Sequence, residues 1–205
     1  MYLEKFEVGY LETNCYIVKA RSNASVIIDP GGGFDRIRDY VNENKLDIKA
    51  VLLTHGHFDH TKDVHKWQAL KIPVYINKND AKYLDPEKSP SLLNFKCFVK
   101  VIPDHFLEDS QLLQFDDLKV KVMHTPGHSP GSVSLIIGDD IYSGDTLFLG
   151  DYGRTDFSDG SFEEIKISLK RLFSLSHTGI DYKVHPGHGP DTLLRSEMIH
   201  NAINY

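Results

Sequence analysis

The chain has 205 residues, of which 40% are hydrophobic and 25% are charged, which is ordinary for one globular domain. Its net charge is −6 at pH 7 and no basic stripe is present, so nucleic acid is not an expected partner. No apolar run approaches the roughly 18 residues of a membrane helix. The N-terminus has no apolar leader and only Cys15 and Cys97 occur, which predicts a cytoplasmic protein without disulfides. Cys15 lies in an apolar run, which predicts that it belongs to the core.

The first half of the chain alternates short apolar strands with amphipathic helices. Residues 15–19 and 25–28 have the pattern of two strands of a hairpin or meander, which ends at Asp29-Pro30 and three glycines. A continuous apolar run at 50–54 predicts a strand that is buried on both faces. Helices are predicted at 34–44, 63–70 and 80–84, and a further strand at 73–76.

The second half is richer in strands. It is preceded by residues 85–109, which contain three prolines and are expected to form an irregular surface excursion. Because both halves run strands first and a helix last, we expect two sheets that pack on each other with helices outside. Strands are predicted at 111–115, 118–123, 132–137, 140–142 and 182–184, and helices at 161–175 and 192–203.

The residues that can carry chemistry begin at the end of the buried strand 50–54. The motif THGHFDH at 54–60 supplies three imidazoles and a carboxylate within six residues. These are ligands that zinc, iron and manganese accept. Residues two apart point the same way in an extended backbone, so His55 and His57 can share one ion and the following Asp59 and His60 a second. A polar loop that is rich in histidine is the alternative interpretation.

Three further loops place a histidine or an aspartate directly after a predicted strand. His128 lies in TPGHSPG, Asp145 in SGDT, and His185 and His188 in HPGHGP. Loops held by a rigid scaffold are common places for active sites. One such residue would more often be an ordinary polar side chain, but four loops of this kind predict a metal centre. The spacing does not decide between His185 and His188.

In this order, the motifs resemble those of the metallo-β-lactamase superfamily and, within it, the glyoxalase II-like hydrolases. The resemblance runs from Asn14-Cys15-Tyr16 and the IDPG motif at 28–31 to PGHGPDT near the C-terminus, which is nearly the whole chain. It implies a single domain over residues 1–205. The implied fold is a four-layer α/β-β/α sandwich, with two mixed β-sheets flanked by helices and a metal centre at one edge of the sheets.

The resemblance also implies a role for each candidate residue. Asp59 would be catalytic as well as a ligand, because its carboxylate orients the nucleophile. Asp29 would anchor the THGHFDH loop, and Arg154 would bind substrate or, equally, bridge loops. The family's last ligand lies in a Gly-His pair, which selects His188 over His185. The implied ligands are His55, His57 and His128 for the first metal, Asp59, His60 and His188 for the second, and Asp145 as the bridge.

The activity implied by the resemblance is hydrolysis of a small thioester of the S-2-hydroxyacylglutathione type. A hydroxide that bridges two divalent metal ions would be the nucleophile, with zinc as the first expectation and iron or manganese as alternatives. The expected partner is therefore a small-molecule thioester, with no nucleic acid and no membrane.

Two departures from the family bear on the substrate. Only 17 residues follow His188, so we expect this chain to do without the C-terminal helical region with which full-length relatives grip glutathione. Gly189-Pro190 also stands where the family has a tyrosine. We therefore expect weak binding of the glutathione moiety. The alternatives are a mononuclear iron persulfide dioxygenase and a metallohydrolase of another small ester or lactone. Exported β-lactamases are disfavoured by Asp145 and by the missing leader.

Overall fold

The first of two large sheets is built by the N-terminal half of the chain. The computed structural model describes residues 2–88 and 99–204. The strands of this sheet are β1 (Tyr2–Val8), β2 (Thr13–Lys19), β3 (Ala24–Ile28), β4 (Asp47–Leu52), β5 (Val74–Asn77) and β6 (His105–Leu107). They lie side by side in chain order, β1 to β3 antiparallel and β3 to β6 parallel. The helices of this half are α1 (Phe34–Glu43), α2 (Phe58–Thr61), α3 (Val64–Ala69) and a 3₁₀ helix at Ala81–Leu84.

The second large sheet comes from the C-terminal half. Its strands are β7 (Leu112–Phe115), β8 (Leu118–His124), β9 (Val133–Ile137), β10 (Asp140–Gly144), β13 (Lys183–Pro186) and β14 (Thr192–Leu193), while β11 (Leu147–Phe148) and β12 (Asp151–Tyr152) form a separate small ribbon. The order across the large sheet is β14-β13-β10-β9-β8-β7, and only the β10–β13 pair is parallel. The helices are α4 (Phe162–Phe173) and α5 (Leu194–His200), with 3₁₀ helices at Ser174–Thr178 and Ala202–Asn204.

Three apolar clusters separate four layers. Along β2, side chains alternate between the two faces of the sheet. Tyr16 and Val18 pack in the cluster between the sheets, while Ile17 packs in the outer cluster beneath α1 and α3. The third cluster lies between the second sheet and α4, where Ile165 and Leu169 are fully buried. The predicted four-layer sandwich with two mixed sheets is therefore confirmed.

The hairpin predicted near the N-terminus is present, with Ile17 paired to Ile27 across β2 and β3. The fully buried Cys15 lies on β2, and burial raises the pKa of its thiol well above the usual value. Cys97 lies outside the described residues. No described helix is long and apolar enough to cross a bilayer.

The expectation of an irregular excursion over 85–109 is wrong at its end. Residues 105–107 form β6, which pairs in parallel with β5 and closes the first sheet. A strand of three residues is too short to show the period-2 pattern from which strands are predicted. Residues 89–98 of this expected excursion lie outside the described residues. Strand β1 was not predicted either, because only two of its seven residues, Phe6 and Val8, are buried.

Candidate metal centre

The four predicted loops meet at one edge of the sandwich, where each follows the carboxyl end of a strand. The THGHFDH loop leaves β4 and turns into α2, and the loop with His128 follows β8. Because β10 and β13 are parallel, with Gly144 opposite Pro186, the loops with Asp145 and His188 emerge side by side. Carboxyl ends of neighbouring parallel strands are common positions for binding sites.

Three histidines form the first cluster, which draws on both halves of the chain. One ring nitrogen each from His55, His57 and His128 lies within 4.8 Å of the others. His57 Nδ1 and His128 Nε2 are 2.9 Å apart. His55 is fully buried, and no described group hydrogen-bonds to its Nε2. A buried nitrogen without a partner is rare, and a metal ion would supply the missing contact.

The second cluster combines a carboxylate with two histidines. His60 Nε2 and His188 Nε2 lie 3.4 and 3.2 Å from Asp59 Oδ2, and 3.3 Å from each other. Asp59 and His60 come from the short helix α2, and His188 comes from the loop after β13. The spacing that predicted a shared site for Asp59 and His60 therefore agrees with the geometry.

Asp145 lies between the two clusters. Its Oδ2 is 3.4 Å from His128 Nε2 and 3.6 Å from His188 Nε2, and its Oδ1 is 3.4 Å from His60 Nε2. Gly187 allows this approach, because an added Cβ would collide with Asp145 Oδ1 and lie 2.7 Å from His60 Cε1. One carboxylate is thus within reach of both clusters.

Backbone and carboxylate oxygens orient several of these histidines from outside the clusters. The ring nitrogens that face outward contact Asp29 Oδ2 at 2.9 Å for His60, the Arg154 carbonyl at 2.9 Å for His128, and the Leu11 carbonyl at 3.0 Å for His188. Metal-binding histidines usually have such a contact, which fixes the tautomer that presents the other nitrogen to the ion.

Asp29 lies behind the THGHFDH loop, as the sequence predicts. Its Oδ1 accepts from Thr54 N at 2.8 Å and its Oδ2 from Thr54 Oγ1 at 2.5 Å. Donor atoms of Asp29, His55 and His60 also lie within 4.8 Å of one another. Both oxygens of Asp29 are already used by Thr54 and by the outward nitrogen of His60, so this third grouping is an anchor of the loop.

The electrostatics of the site suit a cation. Burial and the neighbouring His128 lower the pKa of His57 to about 4, so its imidazole is neutral at pH 7. Burial opposes ionisation of Asp59, but His60 and His188 outweigh it and hold the pKa of Asp59 below its usual range. Neutral imidazoles and ionised carboxylates are the protonation states that bind divalent ions. The carboxylates raise the pKa of His60 and His188 although burial opposes this, so the site attracts positive charge.

A cleft of about 870 Å³ opens beside Asp59, His128 and Asp145. Arg154, predicted to bind substrate, lies at its rim with its guanidinium paired to Asp156 through two contacts of 2.7 Å. The aromatic wall, which we define as Tyr83 and Phe157, was not predicted; their rings lie 5.5 and 5.1 Å from the His57 ring. No motif or spacing in the sequence marks these two side chains.

His185, the alternative to His188, points away from both clusters. Its Nε2 is 2.8 Å from Asp140 and its Nδ1 is 3.1 Å from Asp191, and its ring stacks on Tyr142. The geometry therefore brings His188, and not His185, to the second cluster.

Histidines and carboxylates gathered at the edge of a double-sheet sandwich are an arrangement typical of metalloproteins. The chain belongs to the metallo-beta-lactamase superfamily, whose family model matches residues 8–196. This superfamily contains metal-dependent hydrolases and binds divalent metals. The resemblance inferred from the motifs is confirmed.

Two relatives cover almost the full length of the chain. The probable metallo-hydrolase YqgX of Bacillus subtilis is 36% identical, over 97% of this chain and 95% of its own. Hydroxyacylglutathione hydrolase GloC of Haemophilus influenzae is 31% identical, over 99% of this chain and 98% of its own.

Three solved structures resemble the fold closely. The B3 metallo-beta-lactamase BLEG-1 has a TM-score of 0.88 at 33% identity, and covers 98% of both chains. TTHA1623, solved in a di-iron-bound form, has a TM-score of 0.84 at 33% identity, over 97% of this chain and 98% of its own. ETHE1 from Myxococcus xanthus has a TM-score of 0.83 at 26% identity, over 98% of this chain and 84% of its own.

Proposed function

We propose that this protein is a dinuclear thioester hydrolase of the hydroxyacylglutathione hydrolase type. The observation that carries the proposal is Asp145, whose carboxylate lies within 3.6 Å of imidazole nitrogens from both clusters. A carboxylate in this position suits two ions better than one. The proposed ligands are His55, His57 and His128 for one ion, Asp59, His60 and His188 for the other, and Asp145 as the bridge.

The relatives support the same reading. GloC, named a hydroxyacylglutathione hydrolase, aligns over nearly the whole of both chains. The di-iron form of TTHA1623 supports a site for two ions in a protein of this length and fold. Zinc is the first candidate for this chain, and iron or manganese are accepted by the same imidazole and carboxylate donors.

The donor set fits two divalent ions, because His55 Nε2 has no partner among the described residues and the buried carboxylates are ionised. Bound there, such ions would lower the pKa of a water molecule toward neutrality and polarise a carbonyl group. The protein contributes the orientation. Thr13 Oγ1 donates to Asp59 Oδ2 at 3.2 Å and so holds this carboxylate in place.

Asp59 is the proposed catalytic residue. Its ionised carboxylate accepts a hydrogen bond from the attacking water and aims the oxygen at the thioester carbon. A C–O bond forms and the C–S bond breaks; one proton of the water ends on the departing sulfur, and the other leaves with the carboxylic acid product. Asp59 lines the cleft, which supports this role.

The cleft presents apolar surface to a substrate. Its lining includes Leu11, Phe148 and the aromatic wall, Tyr83 and Phe157. Two of its cations are already paired, Arg154 with Asp156 and Lys82 with Asp159 at 3.0 Å. Binding of a glutathione carboxylate to Arg154 or to Lys82 would compete with these pairs, so we expect thioesterase activity with a high KM.

A mononuclear iron persulfide dioxygenase is the second candidate. The similarity to ETHE1 fits this alternative, and His55, His57, His128 and Asp145 include donors suited to iron. Such an enzyme would make no use of Asp59, His60 and His188 as a second ligand set. The complete second cluster therefore favours the hydrolase.

The deciding experiment uses zinc-loaded and iron-loaded protein in parallel. Hydrolysis of S-D-lactoylglutathione, oxygen uptake with glutathione persulfide, and hydrolysis of a β-lactam and a lactone are measured for each form. The Asp145→Ala variant and the control His185→Ala are carried through the same assays.

Thioester cleavage that Asp145→Ala abolishes and His185→Ala retains would support the proposal. Oxygen consumption by the iron form, without thioester cleavage by either form, would establish the dioxygenase. Turnover of the β-lactam or lactone alone would leave a metallohydrolase of a different substrate class.

A further inference from the structure

A buried carboxylate outside the proposed ligand set joins the two loops that supply the first cluster. Asp80 directly precedes the 3₁₀ helix Ala81–Leu84 and is fully buried. Buried carboxylates are found where hydrogen bonds compensate their desolvation. The hydrogen-bond partners of Asp80 therefore indicate which parts of the structure this side chain holds together.

All three described partners of Asp80 lie in the ligand loops. Its Oδ2 accepts from Gly56 N at 2.9 Å and from Ser129 Oγ at 2.6 Å. Its Oδ1 accepts from Gly131 N at 2.6 Å. Gly56 lies between His55 and His57, whereas Ser129 and Gly131 lie one and three residues after His128. One side chain thus ties the loop of two ligands to the loop of the third.

The approach of the second loop to Asp80 is close. A Cβ added to Gly131 would lie 2.6 Å from Asp80 Cγ, so only glycine fits without a shift. Ser129 Oγ is also 2.7 Å from Ser132 Oγ, which fixes the hydroxyl that reaches Asp80. The loop is therefore held at a defined distance from the carboxylate.

The second cluster does not depend on Asp80. His60 is held by Asp29, as described above, and His188 is held by the Leu11 carbonyl. No described hydrogen bond of Asp80 reaches Asp59 or His60 themselves, which follow Gly56 in the same loop, or the loops that carry Asp145 and His188. The two clusters therefore have separate supports.

We infer that Asp80 is a positioning residue that sets the separation of the His55–His57 loop from the His128 loop, and so the metal affinity of the first site alone. This inference rests on the metal assignment of the proposed function. Metal–ligand distances tolerate errors of only about 0.2 Å. Loss of a side chain that orients ligands typically weakens metal binding by about 10- to 100-fold.

Asparagine cannot replace Asp80, although it has the same shape. All three partners of Asp80 are donors, and the amide group of Asn offers one acceptor oxygen and one NH₂ group. In Asp80→Asn the NH₂ group must face either Gly131 N or the pair of Gly56 N and Ser129 Oγ. At least one of the two loops is therefore released.

The test compares Asp80→Asn with the milder Ser129→Ala and with the control Asp85→Asn. Asp85 lies at the other end of the same 3₁₀ helix, and its carboxylate contacts Lys100 at 2.7 Å and Glu87 N at 3.1 Å. Each full-length protein is stripped of metal and titrated with Co²⁺ against a chromophoric chelator. The visible absorption of bound Co²⁺ and the thermal unfolding temperature are recorded.

The same substitution is also made in His57→Ala and His188→Ala backgrounds. We expect Asp80→Asn to weaken the binding of one of two Co²⁺ ions by about 10- to 100-fold and to change the absorption of that ion. The loss of affinity should be smaller in Ser129→Ala and absent in Asp85→Asn. The loss should persist in the His188→Ala background and vanish in the His57→Ala background, where the first site is already broken.

Three results separate the possible failures. Two ions bound by Asp80→Asn with unchanged affinity and spectrum would overturn the role of Asp80 and leave the metal assignment intact. Equal further losses in both backgrounds would show a general effect on the fold, which also overturns it. An unmodified protein that binds no Co²⁺ would refute the metal assignment itself. If Asp80→Asn fails to fold, Ser129→Ala applies the same criteria.

Discussion

Gly187 gives the sharpest test of the proposed metal centre, because it is not itself a ligand. In Gly187→Ala, the new methyl group would collide with Asp145 Oδ1 and lie 2.7 Å from His60 Cε1 and 3.2 Å from the Gly144 carbonyl carbon. His60 is fully buried and Asp145 is 9% exposed, so neither can move aside freely. The substitution therefore pushes on both clusters at once.

The size of the displacement follows from these distances. Ordinary contact begins at 3.4 Å, so His60 must retreat by about 0.7 Å from its present 2.7 Å. This is more than three times the roughly 0.2 Å that metal–ligand bonds tolerate. The overpacking itself should lower the free energy of unfolding by about 1–3 kcal/mol.

The assay is metal content together with thermal unfolding, for Gly187→Ala and for the control Gly150→Ala. Gly150 has nothing within 4 Å of an added Cβ, but its φ of 73° strains alanine. That strain costs roughly 1–2 kcal/mol, so the control should lose stability and keep its metal. We expect Gly187→Ala to lose most of its metal. Wild-type metal affinity in Gly187→Ala would refute the placement of Asp145 between the two ions.

Two further predictions concern the last ligand loop and acid stability. His188→Ala should lose one ion and nearly all activity. The His185 imidazole contacts Asp140 and Asp191, so His185→Ala should lose stability but retain both ions in elemental analysis. The reverse pattern would exchange the roles of the two histidines. Arg171 holds the pKa of Asp109 down to about 2 through a bidentate contact at 2.8 Å. Because the pKa is lowered in the folded state, this stabilisation is present above about pH 4 and is lost as the pH falls toward 2. Arg171→Met should therefore lower the free energy of unfolding by about 0.5–1 kcal/mol at pH 7, a small value because the ion pair is exposed to solvent. Urea titrations of the wild-type and variant proteins should show a smaller difference at pH 2.5 than at pH 7. The same difference at both pH values would contradict this prediction.

The elements that could be predicted from the sequence are those with a long periodic pattern or a buried apolar run. The helix at 161–175 has both an apolar stripe and Ser161, whose hydroxyl accepts from Glu164 N as an N-cap. Strand β6 could not be predicted, because its three residues gain their order only from pairing with β5. Pairing between distant segments leaves no mark on local spacing.

The site divides in the same way. The candidate ligands could be recognised because metal chemistry restricts the residue types and places them in short motifs. Asp80 and the aromatic wall could not be recognised, since an aspartate, a tyrosine and a phenylalanine outside any motif are ordinary residues. Their importance arises from distances of a few ångströms between segments about 50 to 75 residues apart, such as Asp80 to Ser129 and His57 to His128. Only the folded chain shows these distances.

Each cluster takes donors from both halves of the chain, so any ion bound there fastens one sheet to the other. The backbone already crosses this seam, where Asn14 N donates to the Gly187 carbonyl at 2.7 Å and the Asn14 amide to the Pro186 carbonyl at 3.0 Å. An ion at a concentration 1,000 times its Kd would add about 4 kcal/mol to the folding free energy. The bound ions would then cross-link the two sheets, and the metal concentration in the cell would set the stability of their packing.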